Sequence, residues 1–238
     1  MRCILRIMPM FFLIICMQIL AEEKKSSPNM LTYNYQAKDF SYLLGKMEGF
    51  NDQLLNMHFK LYEGYVKNTN KLLKTLKKMT LMKKDNTIAF GALKRRMGWE
   101  MDGMLLHELY FENLGGNGKV AAGSPLYKKI EEDFGSYELW KRDYKSTGLI
   151  RGIGWVILYQ DPKDGRLHNV WINEHDLGHI AGGTPVLVMD VWEHAYMTQY
   201  GLDRAGYIDA FFKNIHWETV SKRLKISNEK ISDSSKHY

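Results

Sequence analysis

The chain has 238 residues, of which 45% are hydrophobic and 25% are charged, and it carries a formal net charge of +6. This balance excludes a disordered chain and a membrane protein with several spans, and the length suffices for one large domain or two small ones. The positive charge is modest, lies mostly in lysine runs and comes with no nucleic-acid-binding motif. It therefore predicts no nucleic-acid partner, although it would attract an anionic substrate.

Residues 1–21 have the pattern of a secretory signal peptide. Arg2 and Arg6 precede an apolar run over residues 7–20, and Ala21 offers a cleavage position. We therefore predict export to a periplasm or out of the cell, with no stable membrane association after cleavage. The alternative is that the run stays uncleaved and anchors the chain in a membrane by its N-terminus.

Cleavage would also decide which side-chain chemistry is available. Cys3 and Cys16 are the only cysteines, and both lie in the signal segment. The cleaved chain would therefore have no thiol, which excludes disulfides and cysteine-based catalysis. A chain without thiols suits an oxidising, exported setting.

After a polar lead-in over residues 22–39, apolar residues recur at helical spacing. The pattern predicts one helix over residues 40–81 and a second over residues 86–114, where a glycine-rich turn follows. We expect these helices to form an antiparallel hairpin, the N-terminal domain, over residues 40–115. The lysines between residues 71 and 84 are most simply its solvated outer end, and an electrostatic funnel for anions is the alternative.

Residues 116–225 differ in character and predict a C-terminal α/β domain, in which the motif described below would bind a metal. Strand-like apolar runs alternate with turn-forming sequences after two amphipathic helices. The predicted fold class is therefore α+β, a helical hairpin followed by an α/β domain with a small antiparallel sheet. The expected elements are helices at 126–134 and 137–147, strands at 152–159, 167–172 and 186–190, helices over 192–224, and a polar tail at 226–238.

An acidic residue and a histidine stand four positions apart at the end of the last predicted strand. Asp190 and His194 would share one side of a helical turn or of a strand-to-helix corner. Such a pair suits a first-row transition metal, and Trp192 between them would exclude water. The alternative is structural, with Asp190 as a helix N-cap and Glu193 at the third helical position of a capping box. The pair alone leaves both interpretations open.

The segment that starts at Asp190 carries a longer pattern, D-x-(W/F)-E-H-A-Y followed by a further tyrosine. With this pattern the chain resembles the iron/manganese superoxide dismutases, over about residues 40–224. The resemblance includes the helix around His107, the sequence DFGSYELWK at residues 133–141 and the G-x-G-W strand that ends at Trp155. The matching positions of the pattern and its continuation are Asp190, Trp192, Glu193, His194, Ala195, Tyr196, Tyr200, Arg204, Tyr207, Asn214 and Trp217.

The resemblance implies an enzyme that converts superoxide to oxygen and hydrogen peroxide at one iron or manganese ion per subunit, with iron slightly favoured. By match to the family's four ligand positions, the ligands would be His58, His107, Asp190 and His194. Without the family resemblance, His58 and His107 would each be interpreted as an ordinary, partly buried histidine. The resemblance also implies a homodimer, since Glu193 in the family bridges to the ligand histidine of the other subunit.

Further roles around the metal follow from the same resemblance. His175 is expected to orient the metal-bound solvent and to tune the metal's potential, because Gly103 leaves the family's alternative helical donor position empty. Tyr65 is expected to be the gateway tyrosine and a proton relay. Trp155 and Trp192 are expected to wall the site, a role that is compatible with ordinary core packing.

The chain departs from the family pattern at two places in the sequence, near His58 and after His194. One residue is missing between His58 and Tyr65, which would remove a single-turn π-bulge without turning the helix face far. Tyr62 lies near the sequence position where the family has a second histidine, and Met197 replaces the second tyrosine of the family pattern. These departures motivate the alternative of a catalytically silent exported protein that uses the scaffold for binding or structure. An iron-dependent oxygenase is disfavoured because such sites use two histidines and one carboxylate. The remaining histidines, expected to serve packing, capping or the surface, are His168, His179, His216 and His237.

Overall fold

The computed structural model describes residues 34–225. The predicted signal peptide with Cys3 and Cys16, most of the polar lead-in, and the polar tail with His237 lie outside these residues. Within the described range, no helix combines the length and the apolar character that crossing a membrane requires.

Two long helices form a hairpin, as the sequence predicts. Helix α1 spans Asp52–Leu81 and helix α2 spans Ile88–Glu112. Each begins at a side-chain cap, which is Asn51 for α1 and Thr87 for α2. Buried residues of α1 recur every three or four positions and so form one face toward the core; the apolar ones are Leu54, Leu55, Tyr62, Val66, Leu72 and Leu76.

The first helix begins later than predicted. Its start was expected at residue 40, but residues 40–51 form an irregular segment that contains a 3₁₀ turn at Ser41–Leu43. Gly45 and Gly49 have φ angles of 70° and 80°, in the left-handed region through which a right-handed helix cannot continue. Apolar residues of this segment are nevertheless buried, so the spacing that suggested a helix reflects core packing.

The C-terminal domain contains short helices and a three-stranded antiparallel sheet. Its strands are β1 (Gly154–Gln160), β2 (Leu167–Asn173) and β3 (Thr184–Asp190), and its helices are α3 (Pro125–Phe134), α4 (Tyr137–Gly148), α5 (Met197–Tyr200), α6 (Arg204–Lys213) and α7 (Trp217–Lys222). The strand order is β2–β1–β3, and every residue of the central strand β1 is buried. Its register pairs Trp155 with Asp190, so the end of β3 lies beside the start of β1. The α+β fold class predicted from the sequence is confirmed.

The connection between the domains turns tightly after α2. Gly118 has a φ of 68°, and a Cβ at this position would lie 2.5 Å from the carbonyl oxygen of Phe212. Only glycine meets both constraints. Nearby, the Gly116 N–H donates to the Asn214 carbonyl at 3.0 Å, which attaches the connection to the segment after α6.

Both ends of the described chain are attached to the C-terminal end of α2. Lys38 Nζ lies 2.8 Å from Glu112 Oε1, and Arg223 Nη2 lies 3.0 Å from Glu112 Oε2. Arg223 also donates to Asn113 Oδ1 at 2.6 Å and to the Leu109 carbonyl at 3.1 Å. The last carbonyl groups of a helix have no partner inside it, so Arg223 supplies donors where α2 needs them.

Candidate metal centre

Four side chains from both domains meet at one point in the interior. His58 lies on α1, His107 on α2, Asp190 at the end of β3, and His194 in the 3₁₀ turn Glu193–Ala195 that follows. One ligand atom from each residue lies within 4.8 Å of the others. The first three residues are at most 2% exposed, and the side chain of His194 is 25% exposed. The structure thus brings together the four residues that the sequence singled out as ligands.

The corner after β3 places Asp190 beside His194. The Val191 N–H donates to the Gly154 carbonyl at 3.0 Å, so pairing with β1 continues up to the corner. The Trp192 N–H then donates to Asp190 Oδ1 at 2.9 Å and closes the turn. The other carboxylate oxygen, Oδ2, lies 3.1 Å from His194 Nε2. One oxygen of Asp190 therefore holds the turn while the other faces the histidines.

The donor atoms fit a cation. Asp190 Oδ2 lies 3.1 Å from His58 Nε2 and 3.6 Å from His107 Nε2. The His107 Nδ1–H donates to the Gly103 carbonyl at 2.5 Å, so Nε2 of the neutral ring carries a lone pair. That nitrogen is buried and has no hydrogen-bond partner within the described range. A bound cation would satisfy it, and imidazole nitrogens with one carboxylate oxygen suit iron or manganese.

Burial and charge set the protonation of these groups in favour of metal binding. Burial lowers the pKa of His58 and lowers that of His107 further, so both rings are neutral and able to coordinate. Burial opposes the ionisation of Asp190, but neighbouring His194 and His58 hold the pKa of its carboxyl well below the ordinary value. The cluster therefore offers neutral nitrogens from His58 and His107 and one negatively charged oxygen from Asp190.

His175 is hydrogen-bonded at both ring nitrogens. The Trp155 Nε1–H donates to His175 Nδ1 at 3.1 Å, and because an indole only donates, Nδ1 must accept. In the neutral ring, Nε2 then carries the proton and donates to Tyr65 Oη at 2.7 Å. Burial lowers the pKa of His175 to about 4, which keeps the ring neutral near pH 7. The hydroxyl hydrogen of Tyr65 is not used in this bond.

Tyr65 packs against His107 in the space beside a glycine. The two ring centroids are 5.2 Å apart and the rings are stacked. A Cβ at Gly103 would lie 2.6 Å from Tyr65 Cδ1, so the space that the sequence left at this position is filled by the tyrosine ring. Helix α1 is α-helical throughout, so no π-bulge separates His58 from Tyr65. Their spacing of seven residues, two helical turns, places both on one face.

Three tryptophans lie around these groups, and the sequence had indicated two of them. The centroid of Trp155 lies 5.0 Å from that of His107, and Trp192 stacks on His175 at 4.5 Å. The third, Trp99, lies 5.0 Å from His175 and 5.7 Å from Trp192. Trp99 precedes His107 on α2 by two steps of four residues, so helical spacing from the candidate ligand was the feature that could have indicated it.

A second histidine fixes the backbone of the His175 loop. The His179 Nε2–H donates to the His175 carbonyl at 2.8 Å. Because a carbonyl only accepts, the proton lies on Nε2, and Nδ1 accepts from Tyr159 Oη at 2.6 Å. Asp102 Oδ2 on α2 lies 3.7 Å from His179 Nε2. The predicted local packing role of His179 thus corresponds to a specific link between β1, α2 and the loop.

The remaining residues discussed from the sequence lie outside the cluster. Glu193 is exposed, and so is Met197, four positions later in the chain. Tyr62 is buried, accepts from the Lys38 N–H at 2.9 Å and donates to Glu108 at 2.9 Å. Two further histidines serve elsewhere, His168 on the surface and His216 as the cap of α7.

The sequence matches known proteins along most of its length. Two family models match: the alpha-hairpin domain of iron/manganese superoxide dismutases over residues 33–115, and their C-terminal domain over residues 122–223. A relative from Cupriavidus metallidurans, named as an iron superoxide dismutase, is 38% identical over 194 residues, which cover 80% of this chain and 96% of the relative. A relative from Haloarcula marismortui, named as a manganese superoxide dismutase, is 33% identical over 208 residues, or 85% and 96%. The chain therefore belongs to the iron/manganese superoxide dismutase family.

Proposed function

We propose that this chain is a superoxide dismutase with one iron or manganese ion held by His58, His107, Asp190 and His194. The observation that carries the proposal is the convergence of four ligand atoms around the buried His107 Nε2, which lacks another partner among residues 34–225. When bound, the ion supplies the one-electron oxidation and reduction by which two superoxide ions and two protons become oxygen and hydrogen peroxide.

Tyr65 and His175 would hold and deliver protons. Trp155 fixes the ring of His175 so that Nε2–H points to Tyr65 Oη, which leaves the tyrosine O–H for a group on the reacting side. Burial raises the pKa of Tyr65, so the hydroxyl keeps its proton until a stronger base forms at the site. The peroxide dianion that forms when superoxide is reduced is such a base, whereas superoxide itself is only a weak base.

The aromatic residues would exclude water from the donor set. Trp155 is fully buried, and Trp192 and Trp99 cover the His175 side. A dry surrounding strengthens the electrostatic pull of the site on a small anion. Dismutation would then be limited by how superoxide arrives and how protons are delivered.

A catalytically silent scaffold is not supported. The convergence of the four candidate ligand atoms and the hydrogen bond between His175 and Tyr65 support an active enzyme, and relatives of similar length are named as superoxide dismutases. An iron-dependent oxygenase would need more open positions on the metal than three histidines and a carboxylate leave.

We also propose iron as the working metal, a homodimer and export. The Cupriavidus relative and one from Pyrobaculum aerophilum, 30% identical over 199 residues, are named as iron enzymes, which supports iron. The exposed Glu193 beside the partly exposed His194 supports a surface that a second subunit would cover. Export is supported by the sequence pattern of residues 1–21.

Metal analysis joined to a superoxide-removal assay tests the function. The purified protein is expected to contain about one ion per chain, and reconstitution with iron is expected to give more activity than reconstitution with manganese. His107→Ala is expected to lose both metal and activity, whereas His168→Gln on the surface is expected to keep both. A metal-loaded protein that does not remove superoxide would contradict the proposal.

Separate measurements test the assembly and the location. Light scattering is expected to give the mass of a dimer, and Glu193→Ala is expected to shift the population toward monomer. N-terminal sequencing of the protein from its native cells is expected to start just after Ala21. An intact N-terminus would instead favour the membrane anchor.

A further inference from the structure

The outer end of the hairpin combines basic and apolar side chains on its surface. We define the hairpin tip as residues 67–96, which include the last half of α1, the connection and the first third of α2. We propose that the hairpin tip docks on a lipid bilayer that contains anionic lipids. The proposal is independent of the dismutase activity.

The hairpin tip is more basic than the rest of the molecule. It contains ten lysine or arginine residues and one acidic residue, Asp85, a net charge of +9 against +6 for the whole chain. The remaining residues are therefore acidic on balance. A charge concentrated at one end of a molecule orients that end toward an anionic surface.

Four lysines form a stripe along α1. Lys67, Lys71, Lys74 and Lys78 follow one another at steps of four, three and four residues, and all are exposed. In this part of the described chain the nearest ion pairs join Lys60 to Glu63 and Arg96 to Glu100, and neither involves the stripe. The ammonium groups of the stripe are therefore available to an external anion.

Large apolar side chains lie at the end of this stripe. Leu81, Met82 and Ile88 are 64%, 52% and 95% exposed. Leu81 lies three positions beyond Lys78, on the same side of α1, and Lys83 and Lys84 follow in the connection. Apolar residues rimmed by lysines suit a membrane surface, where they enter among the head groups while the ammonium groups meet phosphates.

Two other partners fit this surface less well. A second copy of the chain would bring the lysines of both copies together, and like charges oppose such contacts. A nucleic acid would pair with the lysines but would leave the apolar side chains in water. A bilayer satisfies both groups at once.

The described chain begins next to the lysine stripe. The Tyr35 N–H donates to Asn70 Oδ1, and Asn70 Nδ2 donates to the Tyr35 carbonyl, both at 2.8 Å. Asn70 lies between Lys67 and Lys71 in α1. Tyr35, among the first residues that the structure describes, is therefore held beside the lysine stripe.

A dye at the hairpin tip tests the docking directly, in the full-length chain. The variant Cys3→Ser, Cys16→Ser, Ile88→Cys is labelled with a polarity-sensitive dye and mixed with vesicles of phosphatidylcholine, with or without about 30% phosphatidylglycerol. The emission is expected to shift to the blue with anionic vesicles and to revert in high salt, which screens the lysines. A matched label at Leu202→Cys, where Leu202 is 92% exposed in the C-terminal domain, is expected to report no change.

A charge variant tests the stripe. Lys71→Gln, Lys74→Gln and Lys78→Gln together are expected to weaken binding to anionic vesicles about a hundredfold, since each lysine contributes about fivefold. The matched control, with Lys119, Lys128 and Lys163 of the C-terminal domain changed to Gln, removes the same charge from exposed positions and is expected to bind as before. Circular dichroism and thermal melting check that both variants are folded.

Several results would overturn the proposal. These are equal weakening by both triple variants, no dye response at position 88, or equal responses at positions 88 and 202. A dye response to DNA that exceeds the response to vesicles would assign the surface to nucleic acid. A response that grows with protein concentration in the absence of lipid would assign it to a second copy.

Discussion

Gly103 determines where the ring of Tyr65 can lie. An added Cβ would approach two atoms of the ring to 2.6 and 2.7 Å, so Gly103→Ala must push the ring away from His107. We expect a loss of activity of about 10- to 100-fold, because small displacements at a reacting group are costly. Steady-state kinetics and a crystal structure of the variant measure the loss and the shift.

The control for this change lies on the same helix. A Cβ at Gly91 would meet no atom within 4 Å, so Gly91→Ala is expected to keep full activity. It should also stabilise the protein by about 0.5–1 kcal/mol, since alanine favours the helix. Equal activity of the two variants would show that the ring does not need this space.

His179 is expected to act on catalysis by holding His175. His179→Ala leaves the His175 carbonyl and the Tyr159 hydroxyl without their partner, which is expected to cost about 1–3 kcal/mol in unfolding free energy. It should also lower kcat about tenfold, because the His175 ring loses its fixed position. Tyr159→Phe removes only the hydrogen bond to His179 Nδ1 and keeps the bond between His179 and the His175 carbonyl. It is expected to lower stability with little effect on kcat. If both variants keep normal kcat, His179 is structural only.

The neutral state of His175 makes stability depend on pH. Burial lowers its pKa to about 4 in the folded protein, against about 6.5 in an unfolded chain. Between these values the unfolded chain takes up a proton that the folded protein does not, so stability falls as the pH drops from about 6.5 to about 4, by up to about 3 kcal/mol. Urea unfolding of the metal-loaded protein at several pH values measures this, and His175→Gln is expected to flatten the decline. If His175→Gln leaves the fall in stability with pH unchanged, a group other than His175 causes it.

At the level of the elements, the sequence predicted regular structure best where capping residues and periodicity agree. The second helix was expected over residues 86–114 and is observed at Ile88–Glu112, between the Thr87 cap and the glycine-rich turn. The first helix was expected too early, because buried apolar spacing continued through a segment where Gly45 and Gly49 reverse the sign of φ. Apolar periodicity therefore predicted which residues are buried. It did not predict the positive φ angles at Gly45 and Gly49, which prevent a helix from continuing through this segment.

Arg223 joins α7 to the end of α2. Arg223→Met keeps the apolar stem but removes the donors to Asn113, Glu112 and the Leu109 carbonyl. We expect a loss of about 2 kcal/mol in unfolding free energy, since the charged bonds are largely buried. The neighbouring Lys222 forms only an exposed pair with Glu218, so Lys222→Met is expected to change little. Chemical denaturation compares the two, and equal losses would contradict the link.

At the scale of the whole molecule, the site joins the two domains, since α1 and α2 supply two of the candidate ligands, and the last residue of β3 and the turn after it supply the others. The sequence could indicate this only through the family resemblance, because residues 58, 107 and 190 are far apart in the chain. The proximity of Asp190 and His194 could be predicted from their spacing of four residues. The place of Trp99 could be inferred only from its helical spacing to His107, and the links of His179 could not be inferred, because they depend on how α2 packs against the loop after β2.

Removing the metal is expected to destabilise the whole fold. It leaves the buried carboxylate of Asp190 without the cation that balances its charge and leaves His107 Nε2 without a partner. The chelated protein should therefore melt at a lower temperature and recover when iron or manganese is added, because a ligand that binds only the folded state stabilises it. Calorimetry measures this shift. His107→Ala should show no such recovery, and a melting temperature that is independent of metal in the unmodified protein would contradict the assignment.

Because Lys38 and Arg223 both contact the carboxylate of Glu112, the two ends of the described range lie close together. The same arrangement of helices and strands could therefore be formed by a chain in which these elements follow one another in a different order. A short peptide joining these two positions would allow a circular permutant with new termini in the turn at residues 161–165, where β1 leads into β2. In such a permutant, the four candidate ligands would be met in a different order along the chain while their positions in space stayed the same.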